Sequence, residues 1–365
     1  MSKSSKDERV RQVPLLGRLL SRPELGAIAG TVLVFVFFAI TAGSSGLFSA
    51  KGIINFLEVS AQLGILAAPV ALLMIAGEFD LSLGSMIGFA GILIAIPAVF
   101  WHWPVWLCII FAFAVSGIIG ALNGYAVVRT GLPSFIVTLG GLFMLRGLTL
   151  GLTRGISGRT QVSGLHELAA NDPLNSLFSG QVFSGAIAWL AAHGVIGLRA
   201  DGQPSISGIP VSIVWWVALT IFCSWLLSRT RFGNWIFASG GEPNAARNVG
   251  VPVNRTKITL FVMTALSATL FAAIQVLVTG SADTLRGTQK EFEAIIAVVI
   301  GGTLLTGGYG SAVGALFGAL IFGVVQMGIF YTGIDTDWFK LFMGAMMLIA
   351  VLFNSYVRNR AMRSR

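Results

Sequence analysis

A chain of 365 residues with 55% hydrophobic and only 11% charged residues is not a soluble globule, in which charged side chains make up roughly a quarter. A mean hydropathy of +0.84 makes it an integral membrane protein. Its net charge of +9 needs no nucleic acid to explain it, because the basic residues sort by membrane side.

In chain order, a basic segment at 1–24 leads into an apolar stretch too long for a signal-peptide core and without a convincing cleavage site, so the first span is expected to stay in place. A helix needs about 20 residues to cross a ~30 Å hydrocarbon core. Runs at 25–43 and 59–77 meet that length without a charge. The uncharged run 81–128 is too long for one helix, and Trp101-His102-Trp103-Pro104 divides it as an aromatic interface turn, leaving 104–128 as the fourth span. Spans follow at 131–153, 209–228 and 258–279. The run 294–334 is again double length, divided by Gly301-Gly302 and Gly307-Gly308-Tyr309-Gly310, and 338–357 closes a count of ten. The expected fold is therefore all-α and polytopic, with a membrane domain at 25–357 and a tail at 358–365. Within the outer segment 154–208, residues 179–191 are apolar enough to dip into the membrane, but Gly180, Gly185 and the short length argue against a full span.

With the N-terminus inside, sixteen of the 24 Lys and Arg fall on the inner side and six outside, which gives an N-in, C-in topology. Five of the inner ones lie in the loop 229–257. Lys51, Arg154, Arg159, Arg199, Arg286 and Lys290 are the outer ones, and eight acids, Glu291 and Glu293 among them, are also placed outside. Cys108 and Cys223 lie far apart within spans, and His102, His166 and His193 lack ligand spacing, so no disulfide framework or metal cluster is indicated.

Gly84-Ser85-Met86-Ile87-Gly88 in the third span matches Gly310-Ser311-Ala312-Val313-Gly314 in the ninth, and both run from inside to outside, so a parallel internal repeat is expected. A weaker echo relates Gly124 and Pro133-Ser134-Phe135, nine residues on, to Gly328 and Asp337-Trp338-Phe339. The alternative is shared use of Gly-x-x-x-Gly for close helix approach, as at Gly310, Gly314 and Gly318.

Asn244-Ala245-Ala246-Arg247-Asn248-Val249-Gly250, a polar basic segment stranded between apolar spans, resembles the Glu-Ala-Ala-x-x-x-Gly coupling motif of ABC importer permeases, with Asn244 where the motif has Glu. Four ordered stretches resemble permeases for ribose, xylose and related monosaccharides: Gly77-Glu78-Phe79-Asp80-Leu81-Ser82-Leu83-Gly84-Ser85; Pro133-Ser134-Phe135-Ile136-Val137-Thr138-Leu139-Gly140 with Arg146-Gly147; Arg229-Thr230-Arg231-Phe232-Gly233 running into the coupling segment; and Glu293-Ala294-Ile295-Ile296-Ala297-Val298-Val299-Ile300-Gly301-Gly302 with Gly307-Gly308-Tyr309-Gly310-Ser311. Glu78 stands where that family has a second Gly.

The resemblance implies a transport subunit of the bacterial inner membrane, itself no enzyme, importing a monosaccharide. Its implied partners are an ABC ATP-binding subunit, a periplasmic sugar-binding protein, a second permease subunit, like or unlike, and membrane lipid. No Gly-x-x-x-x-Gly-Lys-Ser/Thr loop occurs, so ATP is expected on the partner and no cofactor on this chain. Glu242, Asn244, Ala245, Ala246 and Gly250 are the implied ATPase-coupling residues. The outer arginines and Lys290 would serve to steer the binding protein.

Charges inside spans usually line a cavity or pair. Asp80 either caps the following helix, if its segment is a turn, or offers oxygens with Ser82 to sugar hydroxyls, if the helix is broken at depth. Asn123, Phe135 and Thr138 are further candidates for the substrate path, against interhelical packing as the alternative. Arg146 is expected to be structural, paired with Glu58 or with helix C-terminal carbonyls. Rival readings are a nucleoside or branched-chain amino acid permease, an ion-coupled transporter with acids or His deep in its spans, and a membrane enzyme, which would need a nucleophile, metal or acid-base pair.

Overall fold

The computed structural model describes residues 23–170, 172–199, 202–335 and 337–363. The basic segment before Pro23 and the Asp201 charge lie outside the described residues. Among the described residues, eight helices are long and apolar enough to cross a membrane: α1 (Pro23–Ala42), α2 (Ala50–Ile75), α3 (Leu83–Phe100), α4 (Val105–Thr130), α5 (Ser134–Ser157), α9 (Val211–Arg229), α12 (Val253–Thr279) and α14 (Ala312–Tyr331). The last helix, α15 (Trp338–Arg363), opens with a shorter apolar stretch, 338–352, and runs through the expected span end at 357 without a break. The count falls short of the expected ten at two places, the short apolar stretch of α15 being one. Where the eighth span was expected there is α13 (Lys290–Ile300), whose eleven residues extend about 16 Å and cannot cross the core alone.

α13 stops where Gly302 takes a φ of +89°, a conformation that a β-carbon disfavours. A Cβ on Gly301 would strike the backbone of Gly314, and one on Gly318 the carbonyl of Ala297, so bare backbone is what lets α13 lie directly on α14. Gly120 and Gly124 do the same for α4 against α12, where a Cβ would meet Phe261 and Ile258.

The packing is that of a duplicated unit. α14 lies along α2 as α4 lies along α12; α13 packs on α2 as α3 packs on α12; and α3 contacts α5 as α13 contacts α15. The four helices α2 to α5 thus correspond to α12 to α15. Yet α2 ends at the place where α12 begins, with Glu78 just past the end of α2 paired to Lys257 in the second turn of α12. Corresponding helices run in opposite directions, so the repeat is inverted, and the expected parallel repeat is corrected. Gly84 opens the second helix of one unit and Gly310 precedes the third helix of the other. Their pentapeptide match reflects glycine at close approaches. The weaker echo, Gly124 with Pro133 against Gly328 with Asp337, is the one in structural register, since it relates the α4–α5 corner to the α14–α15 corner.

α2, α3 and α12 form the buried centre, while α1, α4, α5 and α9 turn most of their apolar side chains outward. Between α5 and α9, strand β1 (Gln161–Ser163) pairs antiparallel with β4 (Ser281–Asp283) after α12, and β2 (Gln181–Val182) with β3 (Ile209–Pro210). Three short helices, α6 (Leu165–Ala169), α7 (Asn175–Ser179) and α8 (Ser184–Ala192), lie along this segment. The nine residues of α8 keep the expected dip far short of a span.

Replacing Gly318 with Leu should overpack the α13–α14 contact at a cost of about 1–3 kcal/mol and abolish a monodisperse peak in detergent chromatography. Gly147→Leu, where a Cβ meets nothing, should elute as the native chain does.

Candidate functional site

Two breaks in the spanning helices build the centre. The first begins where α2 ends: Gly77 adopts φ +82° and donates to Met74 O, Glu78 N closes the helix end on Leu73 O (3.1 Å), and the chain leaves the helix until α3 starts at Leu83. This segment climbs along α12. Glu78 pairs with Lys257, and Asp80 reaches Thr264, seven residues and about 10 Å further along that helix. Irregular backbone at such depth survives only when its polar groups find partners inside the protein. They do: Phe79 N donates to Ser134 Oγ (3.0 Å) and Leu81 N to Thr138 Oγ1 (3.0 Å), while Thr138 donates to Ser134 O (2.8 Å).

Asp80, buried, accepts from Ser82 N (3.0 Å) and Ser82 Oγ (2.6 Å) with one oxygen and from Thr264 Oγ1 (2.7 Å) with the other. Three donors offset much of the desolvation of its charge. Asn123 Nδ2 donates to Ser82 Oγ (3.0 Å). Asp80, Ser82, Asn123 and Thr138, chosen from sequence, therefore belong to one cluster. Phe135 does not join it; its ring is 50% exposed on the outward face of α5. Asp80 takes only the amide of Ser82, closing a turn ahead of α3 instead of capping the first turn of the helix.

The second break enters from the opposite side. After α12, Gly280 (φ +64°), strand β4, Gly287 (φ +85°) and Gln289 (φ +68°) lead to α13. Arg146 NH1 donates to Thr284 O (2.9 Å) in this segment. Its partner is thus a carbonyl, as one of the two expected alternatives had it, but a loop carbonyl in place of a helix end, and the Glu58 alternative is corrected. The starts of α3 and α13 touch: a Cβ on Gly84 would collide with Gly287 O and the Glu291 carboxylate, and one on Gly287 with Gly84 O.

Glu291 escaped the sequence reading. Placed outside with Lys290 and Glu293, it is 5% exposed, against the first turn of α3. Lys290 is paired with Glu293, and Arg286 donates to Gln275 O, Thr279 Oγ1 and Ser281 O, so both are held within the fold, unlike the exposed Arg154 and Arg159. Extreme polarity around 289–293 reads as a loop, and only the fold shows that it turns inward.

At the far end from β1 and β4, α10 (Arg231–Gly241) and α11 (Pro243–Asn248) carry the segment that resembles the coupling motif. Thr230 caps α10 by accepting from Gly233 N (3.2 Å). Gly240 rests on Ile75 O and Gly308 N, and Gly308 N donates to Ile75 O (2.8 Å), which ties α10 to the end of α2 and to the turn before α14. α11 is short, with Glu242 at its N-cap, Pro243 in its first turn and Gly250 at φ +87° just beyond it. Asn244 and Ala245 face out, but Ala246 is 5% exposed and faces the chain itself. Val249, 80% exposed, is the apolar side chain presented outward, and nothing in its position along the sequence marked it.

Membrane-crossing helices, an inverted duplication, two breaks meeting at depth and an amphipathic tether at one end define a multi-pass solute permease. The chain belongs to the family of branched-chain amino acid transport system permease components, whose pattern it matches over residues 52–351. It is 30% identical to the xylose transport system permease protein of Escherichia coli, over 99% of this chain and 100% of that one. It is 31% identical to the corresponding Haemophilus influenzae protein (87% and 92% covered) and 30% identical to the ribose import permease protein of Escherichia coli (89% and 92% covered). No solved structure matches this chain with significance.

The Glu78–Lys257 pair yields a test, since both side chains are nearly buried. Lys257→Met alone leaves an uncompensated carboxylate and should cost about 3 kcal/mol, read as a lowered melting temperature in detergent. Adding Glu78→Gly, the residue of the resembling family, should recover most of that loss.

Proposed function

We propose that this chain is the membrane-spanning permease of an ATP-driven importer that carries a monosaccharide across the bacterial inner membrane. The observation that carries the reading is similarity over nearly the whole chain to permeases named for xylose and ribose transport. The cluster around Asp80 supports it: hydroxyls, an amide and one hydrogen-bonded carboxylate at membrane depth suit a neutral polyhydroxyl solute better than a charged or apolar one.

α10 and α11 lie on the cytoplasmic side in this reading, in keeping with the five Lys and Arg of 229–257, and the segment 154–208 on the periplasmic side. ATP is bound by a partner subunit, which docks on α11. A periplasmic sugar-binding protein meets the opposite surface, where Arg154 and Arg159 are exposed. A second permease subunit and membrane lipid cover the outward faces of the spans.

The test is co-purification. Detergent-solubilised native chain should bring down an ATP-binding subunit, and scrambling 244–250 should abolish this while leaving membrane insertion intact. Val249→Asp, which charges the exposed apolar tip, and Gly250→Val, which forces a branched residue into the left-handed region, should each lower sugar uptake tenfold or more. Ala246→Asp is the weaker probe, because a charge there also disrupts packing within the chain. Uptake at native levels in both the Val249→Asp and the Gly250→Val variant sinks the coupling assignment; absence of any co-purifying ATPase sinks the importer.

A further inference from the structure

Three polar atoms around the meeting point of the two breaks are buried without a hydrogen-bond partner: Glu291 Oε2, Ser85 Oγ and Thr284 Oγ1. Such groups are costly in any protein interior and more so in one facing lipid. They surround a single junction. The Glu291 carboxylate lies against Gly84, Ser85 is the next residue of the same turn, and the Thr284 carbonyl lies against Gly88 one turn further on. Asp80 and Arg146 are among the charges that act on Glu291.

We propose that Glu291, with Ser85 and the Asp80–Ser82 pair, forms a hydroxyl-binding station for the transported solute, deepening the sugar-permease reading on which it rests. The chemistry selects a neutral polyol. An anion would face two carboxylates, and a cation would face the Arg146 guanidinium and the amide-rich starts of α3 and α13. A polyol donates to the Glu291 carboxylate and accepts from the Ser85 and Thr284 hydroxyls, satisfying the orphaned atoms, while Ser82 Oγ, whose proton goes to Asp80, accepts from it. The station lies at a junction to which both inverted units contribute a break, where broken helices offer polar backbone to a solute. In this structure Gly84 and Gly287 are in backbone contact, so the station is closed; parting the starts of α3 and α13 opens it.

The test uses the full complex, permease with ATP-binding subunit and binding protein, in proteoliposomes. Radiolabelled xylose is compared with its single-deoxy analogues at concentrations that saturate the binding protein, so that the ratio of uptake rates reports the permease. In the native complex at least one deoxy analogue should be carried about tenfold more slowly than xylose. Glu291→Gln and Glu291→Ala should shrink that ratio at least fivefold with monodispersity and melting temperature retained. A merely structural Glu291 would lower the rates of all sugars together and leave the ratio fixed, which overturns the proposal. Native ratios in both variants overturn it as well. Uptake driven by a proton gradient without ATP, and lost in Glu291→Gln, makes Glu291 a proton carrier and overturns it. A native complex that imports none of a panel of pentoses and hexoses, xylose and ribose among them, overturns the sugar-permease reading itself, an outcome distinct from the others.

Discussion

Inside a hydrocarbon layer an unpaired amide or carbonyl costs several kcal/mol, so a helix can be interrupted there only if other groups take over its backbone bonds. Every feature of the centre follows from that constraint. The stretch between α2 and α3 is open because Ser134 and Thr138, one turn apart on α5, take the amides of Phe79 and Leu81. The second break satisfies its backbone through the β1–β4 pairing and through Arg146 on Thr284 O. Side chains from α5 serve both breaks, which explains why a helix with most of its surface outward carries a line of hydroxyls and one arginine on its inner face.

Glycine does the complementary work. Where two backbones must touch, at Gly84 with Gly287, Gly301 with Gly314, and Gly240 with Ile75, a single methyl group would force the elements apart. Bare-backbone contacts transmit displacement stiffly, because no side-chain rotamer lies between the elements to absorb it. The knot of Gly77, Gly240, Gly307 and Gly308 is a contact of this kind. It fastens the helix ahead of α11 to the end of α2 and to the turn leading into α14, one element from each unit of the duplication.

Much of this was legible in the chain. Hydropathy marks the long spans because the bilayer imposes a length, and Asp80-Leu81-Ser82 stands out because polar groups at a span boundary need a reason. Inversion was not legible: reversing a helix in the membrane leaves its apolar composition unchanged, so short glycine matches between non-equivalent sites outweighed the faint echo in true register. Glu291 was hidden by its neighbours, since Lys290 and Glu293 give the window the composition of a solvent loop while in fact they satisfy each other. The inward turn of Ala246 and the outward turn of Val249 depend on how α11 is rotated, which six residues of polar sequence do not fix.

Glu78 shows how one departure from a family pattern is absorbed. A carboxylate at the foot of the first break requires a counter-charge, and Lys257 supplies it from the second turn of α12, the helix that follows α11 after a short link. Arg247 of α11 reaches forward to Asn254 on the first turn of that same helix. Displacement of α11 in the importer proposed above would thus reach the first break twice, through the glycine knot at the end of α2 and through the ion pair on α12. By linkage the path is reciprocal: any rearrangement of the breaks that favours one facing of the solute path must in turn favour one position of α11.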